Sequence, residues 1–232
     1  MALLISLETA TQMCSVALAK DGEVLAVKES SEDKSHSSQI TVFIEEVLAK
    51  AGAAMKDVEG VAVSEGPGSY TGLRIGVSTA KGLCYGLDIP LIAVNTLQTM
   101  ALGASIERAS GDNTLYCPLI DARRMEVYYA LYNGDNEMAG EVRAEIVDES
   151  FLQRQFKDNK IVFFGDAVEK CQKVLGQNPN AVFLQNHLPT ASNMAILAEK
   201  KYGSNQFEDV AYFEPFYLKD FVAVKSKKFQ LP

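Results

Sequence analysis

No tryptophan occurs among the 232 residues, and there are only two histidines and four cysteines. Each scarcity removes a class of chemistry. Ile40, not a second histidine, stands four residues after His36, so the helical spacing that turns two imidazoles toward one metal is missing. The other histidine, His187, sits in the unrelated context Asn186-His187-Leu188-Pro189. A metallopeptidase reading therefore has no ligand pair, and no metal or other cofactor is expected. Cys14, Cys84, Cys117 and Cys171 form no CxxC pair and read as small buried hydrophobes of a reducing compartment. No Gly-Lys-Ser/Thr follows any glycine loop, which excludes a Walker A motif.

Basic charge is also in short supply. Lys and Arg number 22 against 30 Asp and Glu, for a formal net charge of −8, and the basic clusters are Arg123-Arg124 and Lys225, Lys227 and Lys228. Phosphate backbones repel such a protein, so any route to RNA is expected to run through a partner. No apolar stretch approaches a membrane span. The start MALLISLETA lacks a basic region, and Glu8 interrupts its apolar run, so neither a signal peptide nor membrane association is expected and the cytoplasm is the expected location.

What is present begins with a composition of 47% hydrophobic and 22% charged residues, that of a soluble globular protein with one large core or two lobes. The run GVAVSEGPGSYTGLRIG, residues 60–76, carries a short apolar strand through a glycine-rich loop into a helix. Such a loop aims N–H groups and a helix dipole at one point, which suits an anion. Ser69 or Thr71 can cap the helix. The same glycines equally suit a tight strand-to-helix turn, with Gly72 and Gly76 letting the helix pack closely on a neighbour.

Strands are expected at 2–7, 13–19 and 23–29, the last two joined by the hairpin signal Asp21-Gly22. A helix over 37–51 places Ile40, Phe43, Ile44, Val47 and Leu48 at helical spacing and stops at Gly52. A strand at 60–64, a helix to about 87, a strand at 90–94 and a helix from 96 follow. The order then restarts near Leu115. Asp121 falls nine residues before Ala130-Leu131, as Glu8 falls nine before Ala17-Leu18, and each meander then turns, at Asp21-Gly22 or Asn133-Gly134. In the second copy we expect strands at 125–132, 137–147 and 160–165 and helices near 149–156, 167–175 and 191–202. Two such copies predict an α/β protein with the duplicated actin-like, two-lobe architecture of sugar kinases, Hsp70 and actin, divided into lobes 1–107 and 108–232.

The segments LLISLETATQMCSVAL, HSSQITVFIEEVL, EGPGSYTGLRIGVSTAKGL, IDARRMEVYYALY and EPFYLKDFVA together resemble the TsaB family across nearly the whole chain. That resemblance implies an actin-like fold and a non-catalytic paralogue that pairs with TsaD, the subunit thought to transfer threonylcarbamoyl to the adenosine next to the anticodon of tRNA. It further implies that the small ATPase TsaE joins the complex and that the chain alone forms homodimers through the same surface.

The residues themselves agree with an inactive cleft. Actin-like kinases straddle phosphates with two small-residue turns, and Glu8, Thr9 and Thr11 are candidates for one vestigial turn, with Asp121 at the other. There, Arg123-Arg124 leave no room for a glycine-style cradle. The adenosine-binding Gly-Gly pair has no counterpart anywhere in the chain, and Phe163-Phe164-Gly165-Asp166 stands where it would be. A small-molecule kinase or ATPase of the same fold is the alternative function. Apolar residues wrap more than one side of the helix from 70 to 87, so a helix-pair docking face is expected from Ile40, Phe43, Ile44, Val47, Gly72, Leu73, Ile75, Gly76, Thr79, Ala80 and Leu83. Burial inside the lobe is the competing account of the same pattern. The late segment Glu214-Pro215-Phe216-Tyr217-Leu218-Lys219 is expected to pack its aromatics back onto the body.

Overall fold

The computed structural model describes residues 2–31, 36–108, 111 and 113–219. Lys225, Lys227 and Lys228, and the late motif from residue 220 onward, lie outside the described residues. Ten strands form two five-stranded sheets. The first contains β1 (Leu3–Glu8), β2 (Cys14–Lys20), β3 (Glu23–Ser30), β4 (Gly60–Gly66) and β5 (Leu91–Asn95) in the order β3-β2-β1-β4-β5. The second contains β6 (Thr114–Asp121), β7 (Glu126–Tyr129), β8 (Arg143–Ile146), β9 (Lys160–Phe164) and β10 (Ala181–Phe183) in the order β10-β9-β6-β7-β8.

Read from the opposite edge, the second order is the first repeated. In each sheet the leading strand pairs antiparallel with the next and parallel with the fourth, as β1 does with β2 and β4, and β6 with β7 and β9. The repeated topology is the duplication that the matched acids and turns predict. Even the strand ends correspond: Gly66 after Glu65 and Gly165 after Phe164 have φ of 116° and 111°. Only glycine holds that region without strain, which lets the chain turn sharply off the sheet.

Between the strands lie α1 (His36–Ala51), α2 (Tyr70–Leu87), α3 (Thr96–Glu107), α4 (Val168–Leu175) and α5 (Ala191–Gly203). Helices cover both faces of the first sheet, which explains why β1, β4 and β5 are mostly apolar and buried along nearly their whole length, without strict alternation. On one face, Ile40, Phe43, Ile44 and Val47 of α1 and Val77 and Ala80 of α2 join Ile5, Leu7 and Val63 in one core. On the other, Met194, Leu197 and Ala198 of α5 meet Leu4, Ala62 and Ile92. The terminal helices are exchanged: α5 follows the second sheet but covers the first, while α3 follows the first and packs Leu97, Met100 and Ala101 against Tyr116 and Ile120 of the second. Each lobe thus seals the other.

Two expectations need correction, and one strand was not expected at all. The strand predicted over 137–147 is continuous only as Arg143–Ile146: Asn133 captures the N–H groups of Asp135 and Glu137 in a turn, after which Met138 and Ala139 make only an isolated bridge back to Tyr132 and Leu131. The helix predicted near 149–156 is replaced by turns and a short 3-10 segment, Gln155–Lys157. Asp148 binds the Ser150 N–H and hydroxyl, and Leu152 adopts φ of 57°, so the backbone cannot continue helically. Phe151, Leu152 and Phe156 are still buried. The strand β10 has three residues between turns, too few to reveal a period, and is held where Phe183 stacks on Phe163 with centroids 5.5 Å apart.

Candidate functional site: an interlobe cleft beside a helix groove

At the end of β1 the chain enters the turn 9–12, which is pressed against the glycine loop. Ser69 donates its N–H to the Ala10 carbonyl at 2.6 Å, and the Thr9 hydroxyl donates to the Gly72 carbonyl at 2.8 Å. A Cβ at Gly68 would collide with Ala10, and one at Gly72 or Gly76 would collide with Thr9. Ser69 caps α2 by accepting the Gly72 N–H at 3.2 Å. Loop donors at Ser69 and Gly72 are thus spent within the protein. The glycines thus serve close packing, one of the two uses that their sequence pattern suits.

Glu8 and Thr9 are fully buried and face inward, away from the cleft, so they form no phosphate turn. Glu8 Oε1 accepts the Ala10 N–H at 2.7 Å, whereas Oε2 is buried without a partner among the described residues. Burial drives its pKa up from 4.5 to about 7, against the opposing pull of the Ala10 N–H, the Ser64 hydroxyl and the Thr9 N–H. With Glu8 inside the lobe and Asp121 on the cleft wall, the two acids do not form a catalytic pair.

The cleft between the lobes has a volume of about 610 Å³. Thr11, His36 and the loop Pro67–Thr71 form one wall, and Asp121, Ala122, Arg123, Tyr128 and Asp166 form the other. Asp121 is already engaged: its Oδ1 accepts the Arg123 N–H at 2.5 Å and pairs with Lys170 Nζ at 2.8 Å, while its own N–H donates to Asp166 at 2.8 Å. Burial raises the Asp166 pKa, with the Asp121 N–H as the largest opposing influence. Both Arg123 and Arg124 take positive φ, 76° and 52°, so the second hairpin turns through arginine where a cradle would need glycine. His36 Nε2 donates to the Thr11 carbonyl at 2.9 Å, a helix-start contact that fastens α1 to the turn. His187 instead lies between Glu107 and the Met100 carbonyl. Among the described residues there is no group of three His, Cys, Asp or Glu side chains placed to hold a metal ion.

A strap closes one side of the cleft. The Glu208 N–H donates to the Leu91 carbonyl, Lys81 Nζ binds the carbonyls of Ala211 and Phe213, and the Phe216 N–H donates to the Glu65 carbonyl at 2.7 Å. Phe216, Tyr217, Leu218 and Lys219 then line the cleft. The aromatic segment returns across the body as expected, with Tyr217 against Tyr70, but Phe216 and Tyr217 stay 42% and 37% exposed. Its path across the cleft was not visible in the sequence.

Next to the cleft a groove of about 470 Å³ runs between α1 and α2, lined by Ile40, Thr41, Tyr70, Arg74, Ile75 and Thr79 among others. Here the expected docking face divides. Ile40, Phe43, Ile44, Val47, Gly72, Leu73, Gly76 and Ala80 are buried in the lobe, and Ile40 also lines the groove. Ile75, Thr79 and Leu83 are half-exposed, alongside the exposed Arg74, Ser78, Gly82 and Tyr85, which the docking-face prediction omitted. Tyr85 is 86% exposed, an aromatic side chain that the fold leaves uncovered. Sequence periodicity marks α2 as apolar on several sides, but only the sheet decides which side is inside.

Two sheets of one repeated order, with exchanged helices and a cleft between them, define the duplicated actin-like class. A family model described as "TsaD: tRNA N6-adenosine threonylcarbamoyltransferase" matches residues 23–227. The Escherichia coli K12 protein named "tRNA threonylcarbamoyladenosine biosynthesis protein TsaB" is 33% identical over 231 residues, covering 96% of each chain. A Haemophilus influenzae protein of the same name is 30% identical over 235 residues, covering 96% of this chain and 95% of its own. Among solved structures, a Pseudomonas aeruginosa protein described as similar to peptidase YeaZ has a TM-score of 0.83 at 26% identity, covering 94% of this chain and all of that one. The chain belongs to the TsaB family.

Proposed function

We propose that this protein serves threonylcarbamoyladenosine biosynthesis as a non-catalytic subunit. It pairs with TsaD, in company with TsaE, for threonylcarbamoyl transfer to the adenosine next to the anticodon of tRNA. The observation that carries the reading is the outer face of α2, where Arg74, Ile75, Ser78 and Thr79 line a groove against α1 and the half-exposed Leu83 and exposed Gly82 and Tyr85 continue the same helix beyond it. Small residues and a few apolar ones on a helix pair suit docking against an equivalent pair, whether on TsaD or on a second copy of this chain. The same surface would serve both a heterodimer and a homodimer in isolation. With a net charge of −8, the protein reaches tRNA through the complex. No helix among the described residues is long and apolar enough to cross a membrane, which accords with a cytoplasmic site of action. We place the lobe boundary at residues 107 and 108, with α3 and α5 exchanged across it.

Inactivity of the cleft is supported by its wall: Asp121 is held by Lys170, the arginine turn is bulky, and Glu8 and Thr9 face away. The test is association with the cognate TsaD, measured by light scattering and titration calorimetry, together with tRNA modification in a reconstituted system. A micromolar or tighter complex that Ile75→Asp and Thr79→Arg abolish, with the fold unchanged by circular dichroism, is the expected result. Modification that proceeds equally without this chain, or turnover of ATP by the chain alone, would overturn the reading.

A further inference from the structure

Tyr70 belongs to two cavities at once. Together with Thr71 it lines both the interlobe cleft and the α1–α2 groove, and so forms the partition between them. On the groove side, Arg74 Nη1 donates to the Tyr70 hydroxyl at 2.7 Å, and its guanidinium lies 5.3 Å from the ring centroid. On the other side, the Tyr217 ring packs on Tyr70 with centroids 5.0 Å apart. Two residues further along the strap, Lys219 forms an ion pair with Glu126 of β7, on the opposite lobe.

The attachment points of the strap make this a linkage. Up to Phe216 it is bound to the first lobe through Leu91, Lys81 and Glu65. Only residues 217–219 span from that anchor to the second lobe. Opening the cleft must therefore break Lys219–Glu126 or draw Tyr217 away from Tyr70. In the second case the groove loses the packing behind its wall.

We propose that lobe closure and partner docking are coupled through Glu126, Lys219, Tyr217, Tyr70 and Arg74. This rests on the groove being the docking surface of the proposed function. Linkage makes the coupling reciprocal: a partner seated in the groove favours the closed cleft, and anything that wedges the cleft open weakens docking by the same factor. An exposed ion pair and one tilted ring pair are modest contacts, so the coupling amounts to about a three- to fivefold change in affinity.

The experiment uses the full chain and TsaD, with Glu126→Gln, Lys219→Met, Tyr217→Leu and the double variant E126Q/Y217L. Spin labels on the exposed Glu46 and Glu141, each changed to cysteine, report the distance between the lobes; the native thiols are all buried. Each single variant is expected to lengthen or broaden the interlobe distance and to weaken association about three- to fivefold, and the double variant no more than either single one. Adding TsaD should narrow the distance distribution of the wild type and not of the variants. If Ile75→Asp abolishes association while the strap variants bind as tightly as the wild type, the coupling is overturned and the docking surface stands. Association that survives Ile75→Asp would instead remove the docking surface and the coupling with it.

Discussion

The Thr9 hydroxyl donates to the Gly72 carbonyl at 2.8 Å, joining residues 63 positions apart. This bond locks the turn after β1 onto the first turn of α2. It also explains the glycine spacing, because Gly72 and Gly76 present to Thr9 the one face of α2 that has no room for a side chain.

Gly72→Ala and Gly76→Ala should each destabilise the protein by about 3 kcal/mol, from overpacking against Thr9. In thermal unfolding this corresponds to a fall in Tm of about 6–12 °C. Gly82→Ala, on the exposed side of the same helix with no atom within 4 Å of the new Cβ, should raise stability by about 0.5–1 kcal/mol. Equal effects at all three positions would refute the assigned orientation of α2.

Glu8 makes stability depend on pH. Its folded pKa, about 7, lies above the ordinary 4.5, so the folded state retains the proton more tightly than the unfolded chain. Stability is therefore greatest below pH 4.5 as far as this group is concerned, falls as pH rises through the window from 4.5 to 7, and carries the full penalty above it. Glu8→Gln keeps an acceptor for the Ala10 N–H and removes the charge. Denaturant titrations should show it more stable than the wild type at pH 8 by up to about 3 kcal/mol, with the advantage vanishing near pH 4.5. A pH-independent difference would show that Glu8 does not titrate in that window.

All four cysteine thiols should be inert in the native protein. Burial pushes Cys14 and Cys84 up to about 11 and Cys171 to about 12, and raises Cys117 well above the ordinary thiol range. Reaction with Ellman's reagent at pH 8 should be slower by about a hundredfold or more than in denaturant, where four thiols should titrate. A rapidly labelled native thiol would contradict the placement of that residue.

Charged substitutions on α2 should separate docking from folding. Ala80 is fully buried, so Ala80→Asp places an unpaired charge in the first-lobe core and should cost about 4 kcal/mol or more. Thr79→Arg, one residue away and half-exposed, should leave Tm within about 2 °C of the wild type. Comparing the two melting curves identifies which losses of association report on the surface and which on unfolding.

Much of the architecture is written locally. The mostly apolar β1, β4 and β5, the helical spacing of Ile40, Phe43, Ile44, Val47 and Leu48, and the Ser69 cap all carry their signal within a few residues. Elements failed to appear from sequence where a short side-chain contact overrides the pattern. Asp148 and Leu152 interrupt the stretch read as a helix near 149–156, and Asn133 closes a turn over 133–137 at the start of the stretch read as a strand. Three-residue β10 lies below the length at which alternation can be recognised.

By itself the amino-acid order determined the duplicated strand plan, the absence of a histidine pair and the greasy character of α2, because periodicity and composition need only near neighbours. Tertiary structure alone decided that Gly72 and Ala80 point inward while Thr79 points out, that Glu8 is sealed from the cleft, and that α3 and α5 change sheets. It also decided that the strap ties Tyr70 to Glu126 across the lobes. These choices rest on contacts between residues tens to more than a hundred positions apart, and no local repeat in the chain encodes such a meeting.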